Sequence, residues 1–176
     1  YLDETIIKER KEKINPKTNP DKQFGLLRVS QNGVFLDDIF WGSEATQSYK
    51  IVHTGDLVYN PYRVNIGSIG LVPSNFDNHL VSPAYVVFRS VNDEYPASYI
   101  HSVLKTPRYQ QVIMKYSLSS ARANLPFSEL TRIKIPEPNQ EDIQKLSKLE
   151  EELDKYQVQT TNIRNKIFEF VESYLK

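Results

Sequence analysis

The sequence predicts an α+β fold: a mostly antiparallel, β-rich globular domain with short helices over residues 1–138, then one long coiled-coil helix over residues 139–176. Three observations carry this expectation. Between Phe24 and Arg89, short apolar and β-branched runs alternate with Gly, Pro, Asn and Asp, the punctuation of antiparallel strands. From Tyr95 to Tyr116 the apolar spacing changes to threes and fours, as helices require. From Leu146 onward the same spacing becomes strict and sustained, which is the pattern of a coiled-coil seam.

Taken in order, a polar opening precedes Phe24–Ser30 and Gly33–Leu36, two strands flanking Gln31-Asn32. Asn32-Gly33 marks a hairpin because both residues tolerate positive φ. Further strands are expected around Tyr49–Val52, Asp56–Tyr59, Ser68–Val72 and Ala84–Arg89. Pro96 suits a first helical position, and Tyr99, Ile100, Val103 and Leu104 form an apolar face. Thr106-Pro107 reads as a cap and restart, followed by Tyr109, Val112, Ile113 and Tyr116 on one face. Ser117 to Asn124 is small and polar, a loop, and Arg132-Ile133-Lys134-Ile135 alternates as a strand.

Asn139 then caps a long helix whose first turn carries Glu141 and Asp142, the charge sign favoured by the helix dipole. Its seam is Leu146, Leu149, Leu153, Tyr156, Thr160, Ile163, Ile167, Phe170 and Tyr174, of which only Thr160 is polar. A helix of some 36 residues extends about 54 Å at about 1.5 Å per residue. That exceeds what a small β domain covers, so the seam needs a partner helix, in another subunit or elsewhere in a longer chain. The pairing direction is open.

The 176 residues carry no cysteine, which excludes disulfide stapling and thiolate metal sites and fits a cytoplasmic setting. No apolar run approaches the ~20 residues of a membrane span. Tyr1, not Met, opens the chain, which fits a piece of a longer polypeptide. Charge balances overall at 22 basic and 22 acidic residues, but not locally. Between His101 and Lys134 lie Lys105, Arg108, Lys115, Arg122, Arg132 and Lys134 against Glu129 alone, a basic excess able to meet phosphates or simply to be solvated.

Asn60-Pro61-Tyr62 stops one proline short of the Asn-Pro-Pro-Tyr loop with which amino-methyltransferases grip a flipped adenine. Gly67-Ser68-Ile69-Gly70 lacks the strand–turn–helix context of a cofactor-binding glycine turn. Both read better as turns, with Pro61 fixing φ and Asn60 bonding locally. His53, His79 and His101 lie far apart, without metal-ligand spacing. No Asp/Glu-x-Lys follows Pro20-Asp21, and there is no nucleophile elbow or P-loop. No catalytic and no metal site is therefore expected.

G-D-L-V-Y-N-P-Y-R-V-N-I-G-S-I-G-L-V (Gly55–Val72), V-S-P-A-Y-V-V-F (Val81–Phe88) and R-A-N-L-P-F-S-E-L-T-R-I-K-I-P-E-P-N-Q-E-D-I (Arg122–Ile143) together resemble one half of a type I restriction-modification specificity subunit. In that family the target recognition domain ends in Leu-x-x-Ile-x-Ile-Pro-x-Pro, matched by Leu130 to Pro138, before a long helix. Asn139-Gln140-Glu141-Asp142-Ile143 keeps the composition of that helix start but not its order. The resemblance implies a non-catalytic DNA-binding specificity module, residues 1–138 reading one half of a bipartite target in double-stranded DNA. It also implies that the helix packs on a second one, setting the spacing and docking modification (methyltransferase) subunits, with a restriction subunit able to join. No cofactor is expected on this chain, because S-adenosylmethionine would be bound by the partner modification subunit.

A half-subunit would form a homodimer through Leu146, Leu149, Leu153, Tyr156, Ile163, Ile167, Phe170 and Tyr174. The candidate DNA-binding residues rest on residue type and position. Asn60, Tyr62 and Arg63 form one group, since Arg suits guanine edges and phosphates. Ser119, Ser120, Arg122 and Asn124 form a polar loop able to approach a groove, and Lys105, Arg108 and Lys115 suit phosphates. Three other readings stay open: a specificity region of a fused methyltransferase-nuclease, a non-DNA coiled-coil adaptor, and an autonomous methyltransferase.

Overall fold

Apolar residues from three regions of the sequence meet in one stack of layers. The computed structural model describes residues 1–118 and 123–174, without the side chains of residues 154, 157, 158 and 161. The chain divides into two units, Tyr1–Glu137 and Pro138–Lys176. In the first, nine strands follow in chain order: β1 (Ile7–Arg10), β2 (Lys13–Ile14), β3 (Gln23–Ser30), β4 (Gly33–Trp41), β5 (Tyr49–Ile51), β6 (Leu57–Tyr59), β7 (Ile69–Leu71), β8 (Leu80–Val81) and β9 (Val86–Ser90). Helices α1 (Ala97–Lys105), α2 (Pro107–Leu118) and the short α3 (Phe127–Leu130) come after them.

The strands form two sheets, ordered β1-β9-β6-β7 and β2-β5-β8-β3-β4. All pairs are antiparallel except β3 with β8. The first sheet is the middle layer. On one face Ile7, Leu57, Tyr59, Ile69 and Phe88 join Ile100, Leu104, Ile113, Leu130 and Ile133 in an apolar core. On the other, Val58 and Val87 join Leu27, Val29, Val52, Val72 and Val81 of the second sheet and its flanks. Each fully buried side chain of this kind contributes about 1.5–3 kcal/mol of transfer free energy, so β6, buried at every residue, is heavily anchored.

Four expectations need correction. The polar opening contains β1 and β2, hidden because residues 8–13 are all charged. That composition suits β1, which is an edge of its sheet. The hairpin forms at Gln31-Asn32, but Gly33 alone takes the positive φ (116°), while Asn32 keeps a negative one. β4 continues past Leu36 to Trp41, because a bulge between the Leu27↔Leu36 and Leu26↔Asp38 pairs absorbs Asp37.

The fourth correction concerns Arg132–Ile135, which forms no strand. Its alternation is real, with Ile133 buried and Ile135 packed on the core, but no sheet edge lies alongside. Its carbonyls are instead taken by tyrosines of the helical layer. The hydroxyls of Tyr116, Tyr109 and Tyr99 donate to the carbonyls of Arg132, Lys134 and Pro136 at 3.2, 3.0 and 3.2 Å. The Leu2 amide takes the carbonyl of Ile133 at 2.8 Å.

The second unit is one helix, α4 (Gln140–Tyr174, 35 residues). Asn139 caps it, its Oδ1 accepting from the Asp142 amide at 2.7 Å. Along it Leu149, Leu153, Tyr156, Ile163, Ile167, Phe170 and Tyr174 are all at least 55% exposed. No helix among the described residues is long and apolar enough to cross a membrane.

The sheet-to-sheet approach depends on Gly70. A Cβ there would lie 2.6 Å from Val34 Cγ2 and 3.3 Å from the Gly33 and Val34 backbone. Gly70→Ala is expected to cost about 1–3 kcal/mol by overpacking, read as a lower midpoint in thermal unfolding of the full chain; an unchanged midpoint would mean that the sheets separate freely at that point.

Candidate functional site

Three loops and one helix junction meet at the end of the first sheet where β6 stops and β7 begins. Asn60 Oδ1 accepts from the Tyr62 amide at 3.0 Å, and the Asn60 carbonyl accepts from the Arg63 amide at 3.0 Å. This is a β-turn with Pro61 at its second position, as the residues suggest. The chain then makes a short 3-10 turn, Val64–Ile66, and reverses at Gly67, whose φ is 82°. The Arg63 carbonyl accepts from the amides of Ile66 and Ser68 at 3.1 and 3.2 Å. Arg63 thus has a backbone fixed on both sides and an exposed side chain with no ion pair or hydrogen bond among the described residues. Tyr62 beside it is 51% exposed and Ile66 is 57% exposed.

The loop after α2 is tied to this turn. The Leu125 amide donates to the Pro61 carbonyl at 3.0 Å, and the buried Tyr59 hydroxyl donates to the Leu125 carbonyl at 3.1 Å. Burial pushes the Tyr59 phenol well above its ordinary value, so it stays a donor. Asn124, next in chain to Leu125, therefore belongs to the same surface as Asn60, Tyr62 and Arg63. Ser119, Ser120 and Arg122 lie outside the described residues.

The basic candidates separate. Lys105, at the end of α1, donates from Nζ to the carbonyls of Gln31 and Gly67 at 2.5 and 3.1 Å. Burial lowers its pKa, and two of its three N–H groups are held by protein. Arg108 is exposed on the first turn of α2, which packs against the Val64–Ile66 turn. Lys115 lies two turns along α2 in a shallow depression with Tyr116, Glu129 and Arg132. Arg132 is paired with both Glu129 oxygens at 3.1 Å, and Lys134 stands 4.6 Å from the centre of the Tyr1 ring. The local basic excess is therefore partly internal, leaving Arg63, Arg108 and Lys115 as exposed cations without partners among the described residues.

Sequence reasoning missed Ile66 and the hairpin tip Gln31-Asn32 as members of this surface. The Asn-Gly signal located the tip along the chain, but only the Lys105 bonds show where it docks. Among the described residues no group of His, Asp or Glu is placed to hold a metal ion. His53 sits 3.1 Å from Glu12 and 3.6 Å from Asp77, joining the β1–β2 turn to the segment before β8.

Two solved chains share this fold. One is the HsdS subunit from Thermoanaerobacter tengcongensis, with TM-score 0.67 and 17% identity over 89% of this chain and 42% of that one. The other belongs to a structure concerning complex assembly and conformational transition of the type I R-M system, with TM-score 0.67 and 16% identity over 94% of this chain and 44% of that one. This chain has the HsdS fold and spans less than half the length of either neighbour. No protein-family model and no curated protein sequence matches it. Within the HsdS fold, the turn at Asn60–Arg63 and the loop carrying Asn124 form one continuous surface.

Beneath that surface His101 of α1 is largely buried. Burial, reinforced by the Lys105 charge and opposed by a hydrogen bond to the Ile69 carbonyl, pushes it down to about 4. Its Nε2 finds no hydrogen-bond partner among the described residues. A histidine neutral when folded and ordinary when unfolded removes stability as pH falls below its unfolded value of 6.5. The carboxylates with lowered values, Asp3, Glu12 and Asp77, start from 3.8, 4.5 and 3.8 and act only below that window. Thermal unfolding from pH 7 to pH 5 should show a loss of roughly 1–2 kcal/mol, absent in His101→Gln; an equal loss in the variant would assign the effect to another group.

Proposed function

We propose that this chain is a DNA specificity module of a type I restriction-modification system. Residues 1–138 read one half of a bipartite target in duplex DNA, and the long helix pairs with a second helix and docks methyltransferase subunits. The observation that carries this reading is the surface at the end of β6, where an unpaired guanidinium stands on a rigid turn among exposed aromatic, apolar and amide side chains. Arg matches guanine O6 and N7 bidentately, Asn matches adenine, and apolar groups meet the thymine methyl. A fixed backbone lowers the ordering cost of such contacts. Arg108 and Lys115 then serve the phosphates, which set register without reading sequence. The HsdS fold supports the same assignment.

Bond-making is left to the partners. Asn60-Pro61-Tyr62 is a hydrogen-bonded turn, and S-adenosylmethionine belongs to the modification subunit. The chain acts as a homodimer when it is a half-subunit. Its helix carries six acidic and three basic residues over 140–156, against two acidic and two basic over 157–174. Two copies therefore repel least when antiparallel, the acidic half of each beside the neutral half of the other. Such a pair reads a two-fold symmetric split site.

Two measurements test the reading. The full chain with its modification subunits should select a motif from randomised duplexes, with affinity that falls steeply with salt. Arg63→Ala should cost ~1–3 kcal/mol at one base; equal loss on every sequence would move Arg63 to the phosphates, and no binding at all would favour the coiled-coil adaptor. Leu153→Glu with Ile163→Glu should leave the first unit folded by circular dichroism and convert the dimer to monomer in light scattering. A dimer surviving both substitutions would refute the seam.

A further inference from the structure

We infer that Gln31 and Asn32, at the tip of the β3–β4 hairpin, are base-reading residues, and that Lys105 is the positioning residue that holds the tip beside the Arg63 loop. The inference rests on the DNA-reading function proposed above and extends its surface to an element that the sequence did not connect with it.

Three ties fix the tip. The Lys105 ammonium donates to the Gln31 carbonyl at 2.5 Å and to the Gly67 carbonyl at 3.1 Å. One charge thus joins the hairpin, the Arg63 loop and α1, whose Ile100 and Leu104 are fully buried. Ser68 Oγ donates to the Val29 carbonyl at 2.9 Å, a buried bond two residues from Gln31. Gly70 of β7 lies against Gly33 and Val34 so closely that a Cβ would not fit. A two-residue hairpin loop left in solvent swings freely; this one is bound to the neighbouring layer through its main chain.

Its side chains are left over. The tip is the pair between Ser30 and Gly33, and its turn is closed by the main chain together with Ser30 Oγ, which accepts from the Asn32 amide at 3.1 Å. The carboxamides of Gln31 and Asn32 are exposed, with no hydrogen bond among the described residues. The turn needs neither carboxamide. Gln and Asn are the side chains whose carboxamide meets adenine N6 and N7 together, and the major groove admits a two-stranded ribbon. Two free carboxamides on a clamped ribbon tip, joined by one ammonium to a loop bearing a free guanidinium, fit that groove.

The test is selection from a randomised duplex library by the full chain with its modification subunits, comparing wild type with Gln31→Ala, Asn32→Ala, Lys105→Met and Lys105→Arg. Gln31→Ala and Asn32→Ala should each lose preference at one base position, roughly 5- to 150-fold, with other positions and the salt slope unchanged because no charge is removed. Lys105→Met should blur those same positions while the unfolding midpoint of the other layers holds, and Lys105→Arg should restore them. Should Lys105→Met fail to fold, the two carboxamide variants decide the matter alone. A wild-type motif reproduced base for base by both of them overturns the inference and leaves the proposed function standing. A wild-type chain that enriches no motif overturns both.

Discussion

The phenol of Tyr59 is fully buried, and its hydroxyl must have an acceptor inside the core. It finds one at the Leu125 carbonyl, 66 residues later, and much of the candidate surface follows from that bond. β6 is trapped between two apolar layers, so Tyr59 cannot move to accommodate a different partner. Leu125 is itself fully buried and returns its amide to Pro61. The turn that begins at Asn60 and the loop that ends at Leu125 are thereby locked together. Arg63 and Asn124 share one surface because a polar atom in the core had to be satisfied, not because they are near in sequence.

The same economy explains the cations. A lysine beneath a sheet end loses hydration, and desolvation alone lowers the Lys105 pKa. Two carbonyls compensate it, and those carbonyls belong to two different loops. Nearby, the Lys105 charge also disfavours a proton on His101, so α1 supports the surface with one ammonium and one neutral imidazole. Arg132 and Lys134 are engaged with Glu129 and the Tyr1 ring. Local charge excess in the sequence therefore overstates what is free to meet phosphate, since a count cannot tell a charge that holds loops together from one that faces solvent.

What the sequence revealed follows the range of the forces involved. Elements set by local periodicity and punctuation were legible: the β3–β4 hairpin, the Thr106-Pro107 restart between helices, the Asn139 cap and the run of α4. The turn at Asn60–Arg63 was legible for the same reason, since its two bonds span three residues. Elements set by what lies alongside were not. β1 is charged from Lys8 to Arg10 and becomes a strand only through pairing with β9, whereas Arg132–Ile135 alternates like a strand but has its carbonyls taken by tyrosine hydroxyls and the Leu2 amide. In the candidate site, residue types were readable and their grouping was not. Lys105 looked like a phosphate contact and is bonded to two carbonyls, while Gln31 and Asn32 looked like turn residues only.

The long helix obeys a different balance. In the first unit each buried apolar cluster has a covering layer, although β4 keeps Phe35, Leu36, Ile39 and Trp41 exposed. Along α4, Leu153, Ile163 and Ile167 remain more than half exposed, although helix propensity and the Asn139 cap favour the helix itself. Thirty-five residues held as an exposed amphipathic rod forgo the burial that normally stabilises a helix, and the seam recovers it only against a second apolar stripe of similar length. Phe168 and Val171 add exposed apolar surface beside the seam near its C-terminal end, so the stripe broadens there. In an antiparallel pair each broad end lies next to the start of the other helix, where Leu146 and Leu149 keep the stripe narrow and the acidic residues gather.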